Sequence, residues 1–162
     1  MNMTVDSSPL PSRAVVRSLV EDLVGRPVEL VDADPVPAVP SNVVAVYVTD
    51  RLAMSAVVVL DLAGAARLGA ALGLLPAGGV DDAIDEGHLP EMLRDNCHEV
   101  MNVLASTFNT PGAPHVRLYE LYGPDSSLPS DVAALSQALG QRLDVRLSIA
   151  GYGGVHLSVV VG

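Results

Sequence analysis

The side chains best placed to do chemistry lie in one eight-residue stretch, Asp95-Asn96-Cys97-His98-Glu99-Val100-Met101-Asn102. In a helix, at about 100° per residue, Asp95, Glu99, Asn102 and Ser106 fall within a stripe roughly 60° wide. Leu93, Cys97, Val100, Leu104 and Phe108 form a second stripe nearly opposite the first. One side of such a helix packs, and the other is offered to solvent. A carboxylate and a carboxamide one turn apart keep a fixed separation, so the pair can grip a cation and position a water on a partner's surface. Burying both would require polar partners that the sequence does not supply, which predicts that Glu99 and Asn102 are exposed.

Other chemistries find little support. The histidines are scattered at 88, 98, 115 and 156, and only His98 has candidate ligands beside it, in Asp95 and Glu99. One histidine and two carboxylates on a single helix make a weak metal site, and His98 reads more simply as a flank of the exposed face. Cys97 is the single cysteine, so neither an internal disulfide nor a cysteine-based metal cluster can form, and its place on the apolar stripe makes it a small core residue. No glycine-rich dinucleotide fingerprint follows a strand, and neither a P-loop nor a serine nucleophile elbow is present. Asp81, Asp82, Asp85 and Glu86 lack the spacing of a calcium loop; they read as a solvated acidic connection or a short exposed turn of helix. No bound cofactor and no metal is expected.

The bulk properties narrow the partners. Nineteen acidic residues stand against nine arginines and no lysine, a net charge of −10, which argues against nucleic acid or an anionic membrane as the main partner. A protein with basic residues at its contact is easier to accommodate. Lysine is missing beside abundant alanine and valine, as a GC-rich coding bias would leave it. The opening residues lack the basic start and apolar run of a secretion signal, and no apolar segment is long enough to span a bilayer, so a cytoplasmic protein is expected. At 162 residues and 49% hydrophobic, with no break in composition, the chain suits a single domain over 12–162 behind a flexible N-terminal segment of residues 1–11.

The elements that must position the site follow from periodicity. Ser12 is a plausible N-cap and Gly25 a stop for a helix carrying Val15, Leu19 and Leu23. A short strand over 28–31 precedes a loop whose prolines forbid a central strand. Two β-branched runs, 43–48 and 53–62, flank the turn residues Thr49-Asp50-Arg51, and helical composition returns over 63–75. Pro90, tolerated in a first helical turn, introduces the long helix expected over 91–108. A strand is predicted over 115–121, a helix from Ser130 through about Arg142, and a final hairpin of strands 143–150 and 155–161 around Gly151-Tyr152-Gly153-Gly154. Hairpins mixed with helices imply an α+β domain, a mostly antiparallel sheet with long helices packed on it, rather than alternating βα units.

The spacing Asp95-x-x-x-Glu99-x-x-Asn102 on an amphipathic helix, with Pro124 a little over twenty residues later, resembles the signature of the CheC/CheX/FliY chemotaxis phosphatases. The order of elements over about residues 12–162 is similar too: a strand hairpin, a helix after LDLAGAARL, an acidic connection, the motif helix and a β-rich C-terminal part. The resemblance implies a phosphatase acting on the aspartyl phosphate of a CheY-like receiver domain. Carried over by position, Glu99 would pair with a receiver lysine and Asn102 would enter the receiver site to orient the attacking water; Asp95, His98 and Ser106 would lie at the partner contact. The Mg²⁺ would belong to the receiver. Two departures stand out. Ser106 occupies the position where the family usually has glycine, and the first helix has Glu21 but Val24 where a second motif would need asparagine. A single site resembles the CheX-like branch and implies a homodimer, with the two C-terminal strands expected to pair at a sheet edge. The alternative reading keeps the helix face without turnover, as a receiver-binding or motor-switch-type interaction module.

Overall fold

The computed structural model describes residues 8–162. Six strands, β1 (Val28–Asp32), β2 (Val43–Thr49), β3 (Met54–Leu60), β4 (Val116–Tyr122), β5 (Gln141–Ile149) and β6 (Gly153–Val161), form one sheet in the order β1-β5-β6-β3-β2-β4. Every neighbouring pair is antiparallel. The helices are α1 (Arg13–Val24), α2 (Leu62–Leu72), α3 (Gly78–Glu86), α4 (Glu91–Leu104) and α5 (Ser130–Ser136).

Part of the sheet is covered on both faces, which explains why β2 and β3 do not alternate. β2 is buried at all seven positions and β3 at six of seven, so VVAVYVT and SAVVVL read as continuous apolar runs. One set of their side chains, including Tyr47, Val58 and Leu60, meets α1, α2 and α4 in the main core. The other set, Val44, Val46, Val57 and Val59, packs under Val132 of α5 and Val36 of the proline-rich loop in a smaller core. β5 instead alternates as a strand with one packed face should, with Leu143, Val145, Leu147 and Ile149 buried.

The first helix begins and ends where its caps dictate. The Ser12 hydroxyl accepts the Val15 amide, and Gly25 terminates the helix at φ 68°. Its Glu21 is a structural residue: the carboxylate accepts the Val28 amide at 2.9 Å and so ties the helix to β1. Residues 81–86 resolve as helix α3 rather than a connection, its polar acids outward and Val80 and Ala83 buried.

Two expectations need correction. The helix predicted from Ser130 through Arg142 stops at Ser136, because residues from Gln141 onward are drawn into β5 opposite Val161 and Val160. Arg142 closes that helix from outside, donating to the Ser136 and Ala138 carbonyls while its guanidinium pairs with Asp144 at 2.9 Å, and Leu139 is left 88% exposed. The C-terminal strands are not a sheet edge: β5 lies between β1 and β6, and β6 between β5 and β3. The edges are β1 and β4, which carry Glu29 and Asp32, and Arg117 and Glu120, charges of the kind that discourage edge pairing. In the N-terminal segment Ser8 is buried with its hydroxyl 2.6 Å from that of Ser55; residues 1–7 lie outside the described residues.

The approach of α2 to α4 sets where the motif helix lies. Side chains on α2 are small where the two helices cross, and a Cβ at Gly69 would overlap the Leu93 carbonyl oxygen of α4. At Gly73 a Cβ would meet only the Asn96 amide nitrogen, the end of a side chain. Gly69→Ala is therefore expected to destabilise the protein by about 1–3 kcal/mol through overpacking against backbone, and Gly73→Ala by clearly less. Urea denaturation of the two variants measures both; equal, negligible shifts would mean that α2 and α4 can separate freely.

Candidate functional site

Helix α4 starts after Pro90, whose extended conformation sets the chain direction and whose carbonyl accepts the Arg94 amide at 2.9 Å. Glu91 in the first turn complements the helix dipole. The packed side is Leu93, Cys97, Val100, Met101 and Leu104, all buried. Asp95, His98, Glu99, Asn102 and Ser106 are all exposed. The helical part ends at Leu104 rather than 108, and Ala105–Thr107 tighten into a 3-10 turn that keeps Ser106 outward and buries Phe108.

Three tethers hold this helix. Asn96 donates to the Gly69 carbonyl at 2.9 Å, fixing the flank next to α2. On the opposite flank the Arg94 guanidinium reaches the Leu121 and Gly123 carbonyls at the end of β4, beside Pro124. At the C-terminal end the Tyr47 hydroxyl donates to the Met101 carbonyl at 2.7 Å, and its ring lies 5.1 Å from that of Phe108. This carbonyl is available because the Ala105 amide turns to Asn102 instead as the helix tightens. Burial raises the Tyr47 phenol well above its usual range, so it stays a neutral donor. Burial also pushes the Cys97 thiol up to about 12, against the lowering influence of the Arg94 charge, so the sulfur is no nucleophile.

The exposed face is thus a rigid one bearing free polar groups. Among the described residues no side-chain hydrogen bond or ion pair engages Asp95, His98, Glu99, Asn102 or Ser106. Glu99 and Asn102 are one turn apart, with Cβ atoms about 5–6 Å from each other in regular helix geometry. Two carboxylates give the face an acidic character, and Arg94, the only arginine of α4, is turned away into its carbonyl contacts. No group of three or more His, Cys, Asp or Glu side chains among the described residues is gathered as a metal site would require. Sequence reasoning missed two contributors. Met92 is 61% exposed and lies about 20° from Glu99 around the helix, so it extends the same stripe. Arg94 is the tie to β4; its position next to Asp95 gave no signal, since its acceptors are main-chain carbonyls 27 and 29 residues away.

An open antiparallel sheet with its motif helix laid outermost on one face is an α+β architecture of the CheC/CheX/FliY type, and this chain has that fold. No protein-family model matches the sequence, and no curated protein does. Among solved structures, the chain is similar to FliY of Thermotoga maritima, at 14% identity over 91% of this chain and 82% of that one, with a TM-score of 0.56. It is similar to the FliM middle domain of H. pylori at 11% identity over 91% and 83%, TM-score 0.52. A CheX in a CheX–CheY–BeF₃–Mg²⁺ complex from Borrelia burgdorferi aligns at 11% identity over 90% and 92%, TM-score 0.49. No helix among the described residues is long and apolar enough to cross a membrane.

Two outcomes follow from the tethers and the buried thiol. Arg94→Ala strands two carbonyls and should cost about 1–3 kcal/mol in denaturant unfolding, with faster amide exchange along α4 than in β5 and β6. Burial keeps the Cys97 thiol protonated at pH 8 and out of reach of reagents. Cys97 should therefore resist iodoacetamide in the folded protein and react promptly in urea; rapid native labelling would contradict its burial.

Proposed function

We propose that this chain hydrolyses the aspartyl phosphate of a receiver domain. The observation that carries the reading is the pairing of Glu99 and Asn102, one turn apart, exposed and unengaged, on a helix tethered at both flanks and at its C-terminal end. The acyl phosphate and its Mg²⁺ are the receiver's own, so the phosphatase needs neither nucleophile nor metal. Glu99 meets the cationic side of the receiver site, a lysine ammonium by the family resemblance. Asn102 enters beside the phosphorus, its amide oxygen accepting a hydrogen from the attacking water. The water oxygen bonds to phosphorus, the bond from phosphorus to the aspartyl oxygen breaks, and the products are inorganic phosphate and the free carboxylate. Positioning of this kind can contribute several kcal/mol to the barrier, about tenfold in rate for each 1.4 kcal/mol. Tethering suits that role, because an amide that wanders by an ångström loses most of the effect.

A second reading keeps the docking face and drops turnover, as a receiver-binding or motor-switch-type module. Ser106 is what favours it: a Cβ and hydroxyl stand exposed at the end of the stripe, where the resemblance leads one to expect glycine. Self-association by strand pairing would have to use an edge other than β5 or β6, which are paired on both sides.

Decay of phosphorylated receivers, followed with and without this protein, tests the reading. Asn102→Ala should remove most of the acceleration, of the order of tenfold or more, while complex affinity stays within a few-fold, because the amide acts in the transition state whereas docking is spread over the face. Glu99→Ala should weaken both binding and rate, since it removes a charge paired in the complex. A wild-type protein that binds phosphorylated receivers yet never speeds their decay would leave the interaction module standing.

A further inference from the structure

The first helix carries an apolar stripe that the fold covers only in part: Leu19 and Leu23 pack against the core with their outer sides in solvent, and Val15 stands exposed. Val16, Val20 and Val24 face the core and are buried. On another side of the same helix Val15, Ser18, Leu19 and Asp22 line an open groove of about 550 Å³, closed on the α4 side by Val103. Val15 is 47% exposed there. Val103 immediately follows Asn102 and sits about 100° round the helix from it, on the flank toward α1. The groove thus begins one residue from Asn102, next to the exposed face of α4.

We infer that the α1–α4 groove is the second half of the receiver's footprint, seating apolar side chains of the phosphorylated receiver that are bordered by lysine or arginine. The inference rests on the phosphatase reading and adds the surface that holds the substrate. Charge selects the occupant. Asp22 stands on the groove wall and Asp95 and Glu99 on the neighbouring helix, no cationic side chain among the described residues lines the groove, and the chain has a net charge of −10. A second copy of this chain would bring like charge to the same place, whereas a basic-bordered surface gains attraction and faster encounter. A small molecule fits less well: the volume lies within the range of about 300–1,000 Å³ usual for ligand sites, but such sites orient their ligands with converging polar groups, and here Ser18 and Asp22 are the only polar side chains on the wall. The division of labour is then plain, with α4 supplying chemistry and α1 supplying grip.

Val15→Arg and Asp22→Arg test this at exposed positions outside the core, in full-length protein. Affinity is measured for a beryllofluoride-loaded receiver, and decay of the phosphorylated receiver is measured at saturating protein. Val15→Arg should weaken binding about tenfold or more with the saturated rate within twofold of wild type; Asp22→Arg should slow association and flatten its salt dependence. Wild-type activity with unchanged affinity in both variants overturns the groove proposal and leaves the phosphatase reading intact. A change of oligomeric state in light scattering on either substitution, with receiver affinity unchanged, overturns it in favour of a self-interface. Wild-type protein that neither binds nor dephosphorylates any receiver overturns the underlying reading and the groove proposal with it.

Discussion

The contact on which the site depends is the crossing of α2 and α4, where backbone meets backbone through Gly69. Leu93 and Asn96 of α4 can rest against α2 only because no Cβ intervenes at that turn, and Asn96 then closes the contact with a hydrogen bond to the Gly69 carbonyl. A helix held this closely on one flank has a defined rotation, and rotation is what decides which residues face out. Rotating α4 by a single residue position, about 100°, would carry Asn102 off the exposed face and expose the apolar row headed by Cys97. The apolar cost of that change keeps the polar stripe outward, and Arg94 and Tyr47 fix the remaining freedom from the other flank and the C-terminal end.

The sheet explains why such a helix can be offered so freely. β2 and β3 are buried on both faces, so the two cores are built from these strands, their neighbours and the helices laid on them. The solvent side of α4 contributes nothing to those cores and can carry two carboxylates, an imidazole and an amide without partners. Glu21 marks the contrast within the same fold: it too is an acid on an amphipathic helix, but its carboxylate is consumed by the Val28 amide.

Much of the fold was legible from periodicity and punctuation. The limits of α1 follow from Ser12 and Gly25, the β2–β3 hairpin from its β-branched runs, and the final hairpin from its strict alternation around Gly151. The misreadings have a common cause. The segment after Ser130 continues an apolar period of 3.6 through Leu135 and Leu139, yet sheet pairing claims Gln141 and Arg142, and local pattern cannot weigh a strand partner that lies about twenty residues on. The edge expectation failed for the same reason: β5 is flanked by β1, more than a hundred residues earlier in the chain.

By itself, the sequence determined which side of the 91–104 helix is polar, that Glu99 and Asn102 share that side, and that Cys97 does not, because helical geometry converts spacing into direction without reference to the rest of the chain. Only the tertiary structure decided that Arg94, Asn96 and Tyr47 anchor the helix and that the α1 groove lies alongside. Those facts depend on contacts between residues far apart in the chain, such as Arg94 with Gly123, Tyr47 with Met101 and the groove wall shared by Leu19 and Val103. A carbonyl acceptor or a neighbouring helix leaves no trace in the residue types that meet it, so its position becomes known only when the chain has folded.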